Sequence, residues 1–159
     1  MFGFLRKGYK LLAPVDGKVI ELSEVPDQVF AQKMAGDGIA IESTGSIVVA
    51  PCDGMLTMIF KTNHAFGITM DNGLELLVHI GIDTVALEGA GFERLASEGQ
   101  FVKAGEPIIK VNREEILEKG YSLITPVLIT NVDNVKELEG NVGAEVKAGQ
   151  DEVLNFKVK

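Results

Sequence analysis

The chain has 159 residues, 46% of them hydrophobic, enough for one domain built around a single core. Its formal net charge of −8 includes +3 from Arg6, Lys7 and Lys10, so the remainder carries −11, which repels nucleic acid and favours basic protein partners. No apolar run approaches the roughly 18 residues of a membrane helix, and a single cysteine, Cys52, excludes an internal disulfide.

Residues 1–11 read as a flexible N-terminal tail and 12–159 as one domain. In the tail a short apolar patch, Phe2, Phe4 and Leu5, precedes the three cations. That is the wrong order and length for a secretory signal, so the expected compartment is the cytoplasm. The tail offers at most a peripheral contact with an anionic membrane. Cys52 reads as a small buried hydrophobe. Beyond the tail, short apolar segments recur: Lys18–Leu22, Ile39–Ile41, Ile47–Val49, Leu56–Phe60, Phe66–Met70, Leu74–Ile80, Pro107–Val111 and Leu123–Thr130. Gly, Pro, Asp or Asn separates nearly all of them, which predicts an all-β protein, an antiparallel sandwich or barrel with one or two short surface helices. Asn112-Arg113-Glu114-Glu115 has the form of a capping box, with Lys119 in the last turn and Gly120 at the C-cap. A weaker helical stretch runs from Leu87 to Ser97.

Two internal echoes cut across these segments. Ala13-Pro14-Val15-Asp16-Gly17 returns as Ala50-Pro51-Cys52-Asp53-Gly54, and Val102-Lys103-Ala104-Gly105 returns as Val146-Lys147-Ala148-Gly149. Each is a turn next to a β segment, so the chain reads as a quasi-repeated β structure. Turns of the A-P-x-D-G kind resemble those of biotinyl and lipoyl carriers and of the related barrel-sandwich hybrids.

The chain has two histidines. Asn72-Gly73 is a strong hairpin signal, and a two-residue loop there pairs Met70 with Glu75, Ile68 with Leu77 and Phe66 with His79. His64 then lies diagonal to His79 on one face, with Cβ atoms about 7 Å apart. Thr62 shares that face, whereas Leu74, Leu76, Val78 and Ile80 point into the core. A three-residue loop would reverse the parity and undo the pairing. Three readings of the pair stay open: a structural role, a zinc site and a phosphohistidine. Zinc lacks further ligands, since no HxH element or neighbouring cysteine is present. In the third, one imidazole is the nucleophile and the other binds the transferred oxygens.

Gly73-Leu74-Glu75-Leu76-Leu77-Val78-His79-Ile80-Gly81-Ile82-Asp83-Thr84-Val85 resembles the phosphorylation-site signature of the glucose-family enzyme IIA (EIIA) of the bacterial sugar phosphotransferase system. Thr62-Asn63-His64-Ala65-Phe66 resembles its second-histidine motif. Val25–Phe30, Gly36–Ile41 and Glu98–Val102 also look like family segments, in the family's order and spacing. The resemblance implies a phosphoryl relay, in which phospho-HPr donates to His79 and His79 passes the group to a cysteine of a sugar-specific enzyme IIB (EIIB), alone or within an EIIBC permease. His64 would stabilise the phosphoryl oxygens and Thr62 would orient His64, with no metal and no cofactor beyond the covalent phosphoryl group. It also places Asp27 and Asp83 beside the site, to meet a partner's arginines. Phe30, Met34, Phe60, Leu77 and Val85 lie near the motifs and read as an apolar ring for partner docking. Regulatory protein partners would read the phosphorylation state. The alternative is a lysine-modified carrier, because Ala31-Gln32-Lys33-Met34 resembles the turn of biotin carriers; Ala35-Gly36-Asp37-Gly38 then departs from that pattern.

Overall fold

The two A-P-x-D-G turns each launch a strand, and the architecture grows from that duplication. The computed structural model of the protein describes residues 8–159. Its strands are β1 (Gly8–Leu12), β2 (Gly17–Glu21), β3 (Asp37–Ser43), β4 (Ile47–Val49), β5 (Gly54–Ile59), β6 (Ala65–Thr69), β7 (Glu75–His79), β8 (Phe92–Arg94), β9 (Phe101–Val102), β10 (Pro107–Val111), β11 (Ile124–Ile129), β12 (Val135–Gly140), β13 (Glu145–Val146) and β14 (Glu152–Val158). Two short helices interrupt them, α1 (Gln28–Ala31) and α2 (Arg113–Glu118). All eight expected segments are strands. Helix α2 is capped as expected, the Asn112 side chain accepting from the Glu115 N–H.

The strands form one sheet of eight, in the order β13-β2-β3-β11-β7-β6-β5-β9, and two of three, β1-β14-β12 and β4-β10-β8. Every pairing is antiparallel. The large sheet has two like halves meeting at β11 and β7. In each half the strand after an A-P-x-D-G turn pairs on its outer edge with the strand entering a V-K-A-G turn: β2 with β13, and β5 with β9. The hydrogen bonds repeat as well. Asp16 Oδ1 accepts from the Ala148 N–H at 2.7 Å, and Asp53 Oδ1 from the Ala104 N–H at 2.8 Å. Gly149 N–H donates to Ala13 O and Gly105 N–H to Ala50 O, both at 2.8 Å. The two turns also clasp each other, Leu12 N–H to Pro51 O at 2.9 Å and Val49 N–H to Pro14 O at 2.7 Å. The halves come so close that a Cβ on Gly149 would sit 3.1 Å from Gly105 Cα.

The inner face of the sheet packs the main core, with Ile39, Ile41, Leu56, Phe66, Ile68, Leu74, Val78 and Ile80 each at most 2% exposed. A second, smaller core lies on the outer face of the first half. There Ile20, Ala40 and Leu128 are covered by Leu22, Val25 and Phe30 from the β2–β3 connection, with Ile82 beside them. Cys52 is buried as expected, and burial, helped by Asp53, pushes its thiol up to about 12.

Two expectations about the fold need correction, and one element is new. Gly8–Leu11 belong to the fold: β1 pairs with β14, Leu11 is fully buried and Tyr9 stacks on Phe156 at 5.7 Å. The apolar patch of the tail, Phe2 to Leu5, and the cations Arg6 and Lys7 lie outside the described residues. Leu87–Ser97 is no helix, because Gly89 and Gly91 adopt positive φ (96° and 91°) and Phe92–Arg94 pairs with β10. Helix α1 was not foreseen; it is four residues long, capped by Asp27 and pinned by buried Phe30.

Candidate functional site

The β6–β7 hairpin turns through three residues, not two. Gly73 N–H donates to Met70 O and Met70 N–H to Leu74 O, leaving Asp71, Asn72 and Gly73 in the loop, with Gly73 at φ 88° as such a loop requires. His79 therefore faces Ala65, and Leu77 faces Gly67. Leu74, Leu76, Val78 and Ile80 point inward as expected. The reversed parity does not separate the histidines, because His64 precedes β6 and follows Asn63, which has φ 59°. Released from strand alternation, its ring swings onto His79: the centroids are 4.9 Å apart, edge to face.

Each imidazole is held through Nδ1. His79 Nδ1 lies 2.8 Å from Gly81 O. A carbonyl only accepts, so Nδ1 carries the proton and Nε2 keeps its lone pair. Gly81, at φ 83°, is fixed in place: a Cβ there would strike Thr84 and Ser122. His64 Nδ1 lies 2.6 Å from Thr62 Oγ1. A hydroxyl can donate or accept, so Thr62 can serve His64 in either protonation state. Aromatic rings flank the pair, Phe30 at 4.9 Å from His79 and Phe60 at 5.3 Å from His64.

Burial disfavours charge on both rings. His64 is 2% exposed, and burial, reinforced by His79, lowers it to about 4. His79 is lowered by burial, while its bond to Gly81 and the charges of Asp27 and Asp83 pull it back up. Near neutral pH the site thus holds two neutral imidazoles, one with a free nucleophilic nitrogen and the other a potential donor. Among the described residues no group of three or more His, Cys, Asp and Glu could hold a metal ion, and no helix is long and apolar enough to cross a membrane.

The structure brings together His64, His79, Thr62, Phe30 and Phe60, and sets Asp27 and Asp83 where their charges reach His79. Asp27 caps α1, and Asp83 is exposed at φ 61°. Leu77 shares the β7 face of His79 and packs against the smaller core. Met34 and Val85 are 70% and 54% exposed, on the segments that carry Asp27 and Asp83. Lys33 is exposed just past α1 and pairs with Asp37 at 3.6 Å; it does not tip a β-hairpin. Sequence reasoning missed Gly81 and Arg94. Arg94 holds the 60–64 connection by donating to Asn63 Oδ1 at 3.0 Å and Phe60 O at 3.4 Å. Gly81 could have been found from its place two residues after His79; Arg94, 31 residues from Asn63, left no local signal.

Comparisons with known proteins assign the chain to a family and match its fold. The family model described as phosphoenolpyruvate-dependent sugar phosphotransferase system, EIIA 1, matches residues 9–135. The chain is 46% identical over 149 residues to a PTS system glucose-specific EIIA component of Bacillus cereus, covering 94% of this chain and 90% of that one. It is 47% identical to part of a PTS system N-acetylglucosamine-specific EIICBA component of Klebsiella pneumoniae, covering 94% of this chain and 23% of that longer protein. The solved glucose permease IIA from Mycoplasma capricolum superposes with a TM-score of 0.88 at 42% identity, covering 96% of this chain and 97% of the other. A match over most of the chain, in sequence and in fold, makes this protein a member of the EIIA 1 family of the phosphoenolpyruvate-dependent sugar phosphotransferase system.

Proposed function

We propose that the chain carries a phosphoryl group on His79 Nε2, taking it from phospho-HPr and delivering it to a cysteine of an EIIB domain during sugar uptake. The observation that carries this reading is the bond from His79 Nδ1–H to Gly81 O, which leaves Nε2 as the free nucleophile beside a second imidazole. In the first half-reaction the Nε2 lone pair attacks phosphorus as the donor's P–N bond breaks and its electron pair returns to the donor imidazole. In the second, a thiolate attacks and the P–Nε2 bond breaks, restoring the neutral ring. No metal or nucleotide is needed; catalysis is positioning and charge stabilisation.

Thr62 O–H donates to Nδ1 of neutral His64, so that His64 Nε2–H points a donor at the phosphoryl oxygens. An arriving anion raises the basicity of His64, and Thr62 can then turn and accept from Nδ1–H. Asp27 and Asp83 make Nε2 more basic and meet cations brought by the partner. The relay runs in the cytoplasm, and other proteins can read the two phosphorylation states. To test this, the protein is incubated with phosphoenolpyruvate, enzyme I and HPr. The expected product is an acid-labile, base-stable phosphoramidate on His79. Phosphate that survives mild acid, or that sits on another residue, would overturn the reading.

A further inference from the structure

The two halves of the large sheet differ sharply on their outer faces. In the first half the row Ile20–Ala40–Pro126 is buried beneath the β2–β3 connection, and the row beyond it, Glu145–Lys18–Glu42, is charged and exposed. The pairing registers give the counterparts in the second half as Met58–Gly67–Leu77 and Phe101–Met55–Thr69. Leu77, at the inner end, packs against the smaller core, whereas no described element covers the outer ends of the two rows. Met58 is 50% exposed, Phe101 51% and Met55 39%. The fold does not require apolar residues there, since the first half fills the matching outer positions of Met55 and Phe101 with Lys18 and Glu145. The covered row shows, in turn, what Met58–Gly67–Leu77 would look like with an occupant.

The occupant can be argued from position and size. Leu77 lies two residues before His79 on the same strand face, and Met58 is two strands away, about 10 Å. A standard docking footprint of about 800 Å² per partner, a disc of about 16 Å radius, centred on His79 would take in Met58 and reach Met55 at its rim, with Phe101 one strand beyond, about 20 Å from His79. Alone the three side chains expose on the order of 300 Å², too little for a stable dimer but suited to extending a transient interface. Adaptable methionines fit that use. Proteins of this family are named for glucose and for N-acetylglucosamine, so the acceptor must be told apart by surface beyond the histidine pair.

We propose that the open row of Met55, Met58 and Phe101 is the part of the docking surface that recognises the EIIB domain, meeting an apolar ridge on it. The identity of the partner rests on the phosphoryl-carrier reading; the row's role in docking is read separately. The test uses full-length protein labelled with ¹³C at its methionine methyls, titrated with purified EIIB domains of a glucose and an N-acetylglucosamine permease. With the EIIB it binds more tightly, the Met55 and Met58 methyls should shift. The variant Met55→Lys, Met58→Glu, Phe101→Glu should bind that domain at least tenfold more weakly, while phosphate acceptance from phospho-HPr stays within twofold. Met55 and Met58 methyls unmoved while that of Met34 shifts, wild-type affinity in the variant, or an equal loss toward HPr would each overturn the proposal. Methyl shifts at Met55 and Met58 in a protein that takes no phosphate would sustain the docking surface and sink the carrier reading instead.

Discussion

The first half of the large sheet spends fifteen residues, 22–36, connecting β2 to β3, whereas the second half spends five, 60–64, connecting β5 to β6. The long connection folds back, places Phe30 over His79 and closes a second core. The short one turns sharply at Asn63, delivers Thr62 and His64, and leaves the outer face beside it open. Everything the halves share is scaffold: the A-P-x-D-G turns, the capped V-K-A-G turns and the strand order. What they do not share builds the site. Duplication thus supplies rigidity, and unequal connections supply chemistry.

The shared parts can be broken first. Gly17 and Gly54 occupy matching positions, and an added Cβ would stand 2.3 Å from Glu42 O in one case and 2.6 Å from Thr69 O in the other. Gly17→Ala and Gly54→Ala should each cost about 3 kcal/mol by urea unfolding. A loss below about 1 kcal/mol in one alone would mean that the halves are not equally load-sharing.

A comparable effect should come from pH, on the unshared side. His64 is neutral and buried, lowered to about 4 in the fold against about 6.5 when unfolded. Between those values the unfolded chain binds more protons, so stability is intact above about 6.5 and falls as pH drops toward 4, by on the order of 3 kcal/mol. In His64→Gln the fall over that window should be markedly shallower. Parallel stability curves for wild type and variant would remove burial of a neutral His64 from the account.

Smallest are the paired caps. Asp16→Ala and Asp53→Ala each delete one charge-assisted bond to a backbone N–H, costing about 1.5 kcal/mol, and the two losses should agree within about 0.5 kcal/mol. Thermal denaturation of both variants checks this.

Local patterns made much of this legible. Strands β2 to β7, β10 and β11 announce themselves by apolar runs between turn residues, and the echoed pentapeptides mark the duplication. Strand β1 was missed because its partner β14 lies some 140 residues away, a pairing no local signal reveals. The pairing of the histidines was foreseen for a partly wrong reason. Asn72-Gly73 suits either loop length, and the extra residue, Asp71, shifted the register by one. Asn63's left-handed backbone restored the contact, a tertiary solution invisible in the hairpin pattern. The outer-face rows were out of reach too, because exposure of Met55, Met58 and Phe101 depends on which connection covers which half.

The central claim is that the two imidazoles are unequal: His79 carries the phosphoryl group and His64 only donates to it. Single-turnover assays of both half-reactions on His79→Ala and His64→Gln test it most directly. His79→Ala should accept no phosphate from phospho-HPr. His64→Gln should still accept, since glutamine keeps an N–H donor, but should pass the group to EIIB at least a hundredfold more slowly, having lost a donor that can become cationic. Full acceptance by His79→Ala together with none by His64→Gln would exchange the two roles and contradict the account.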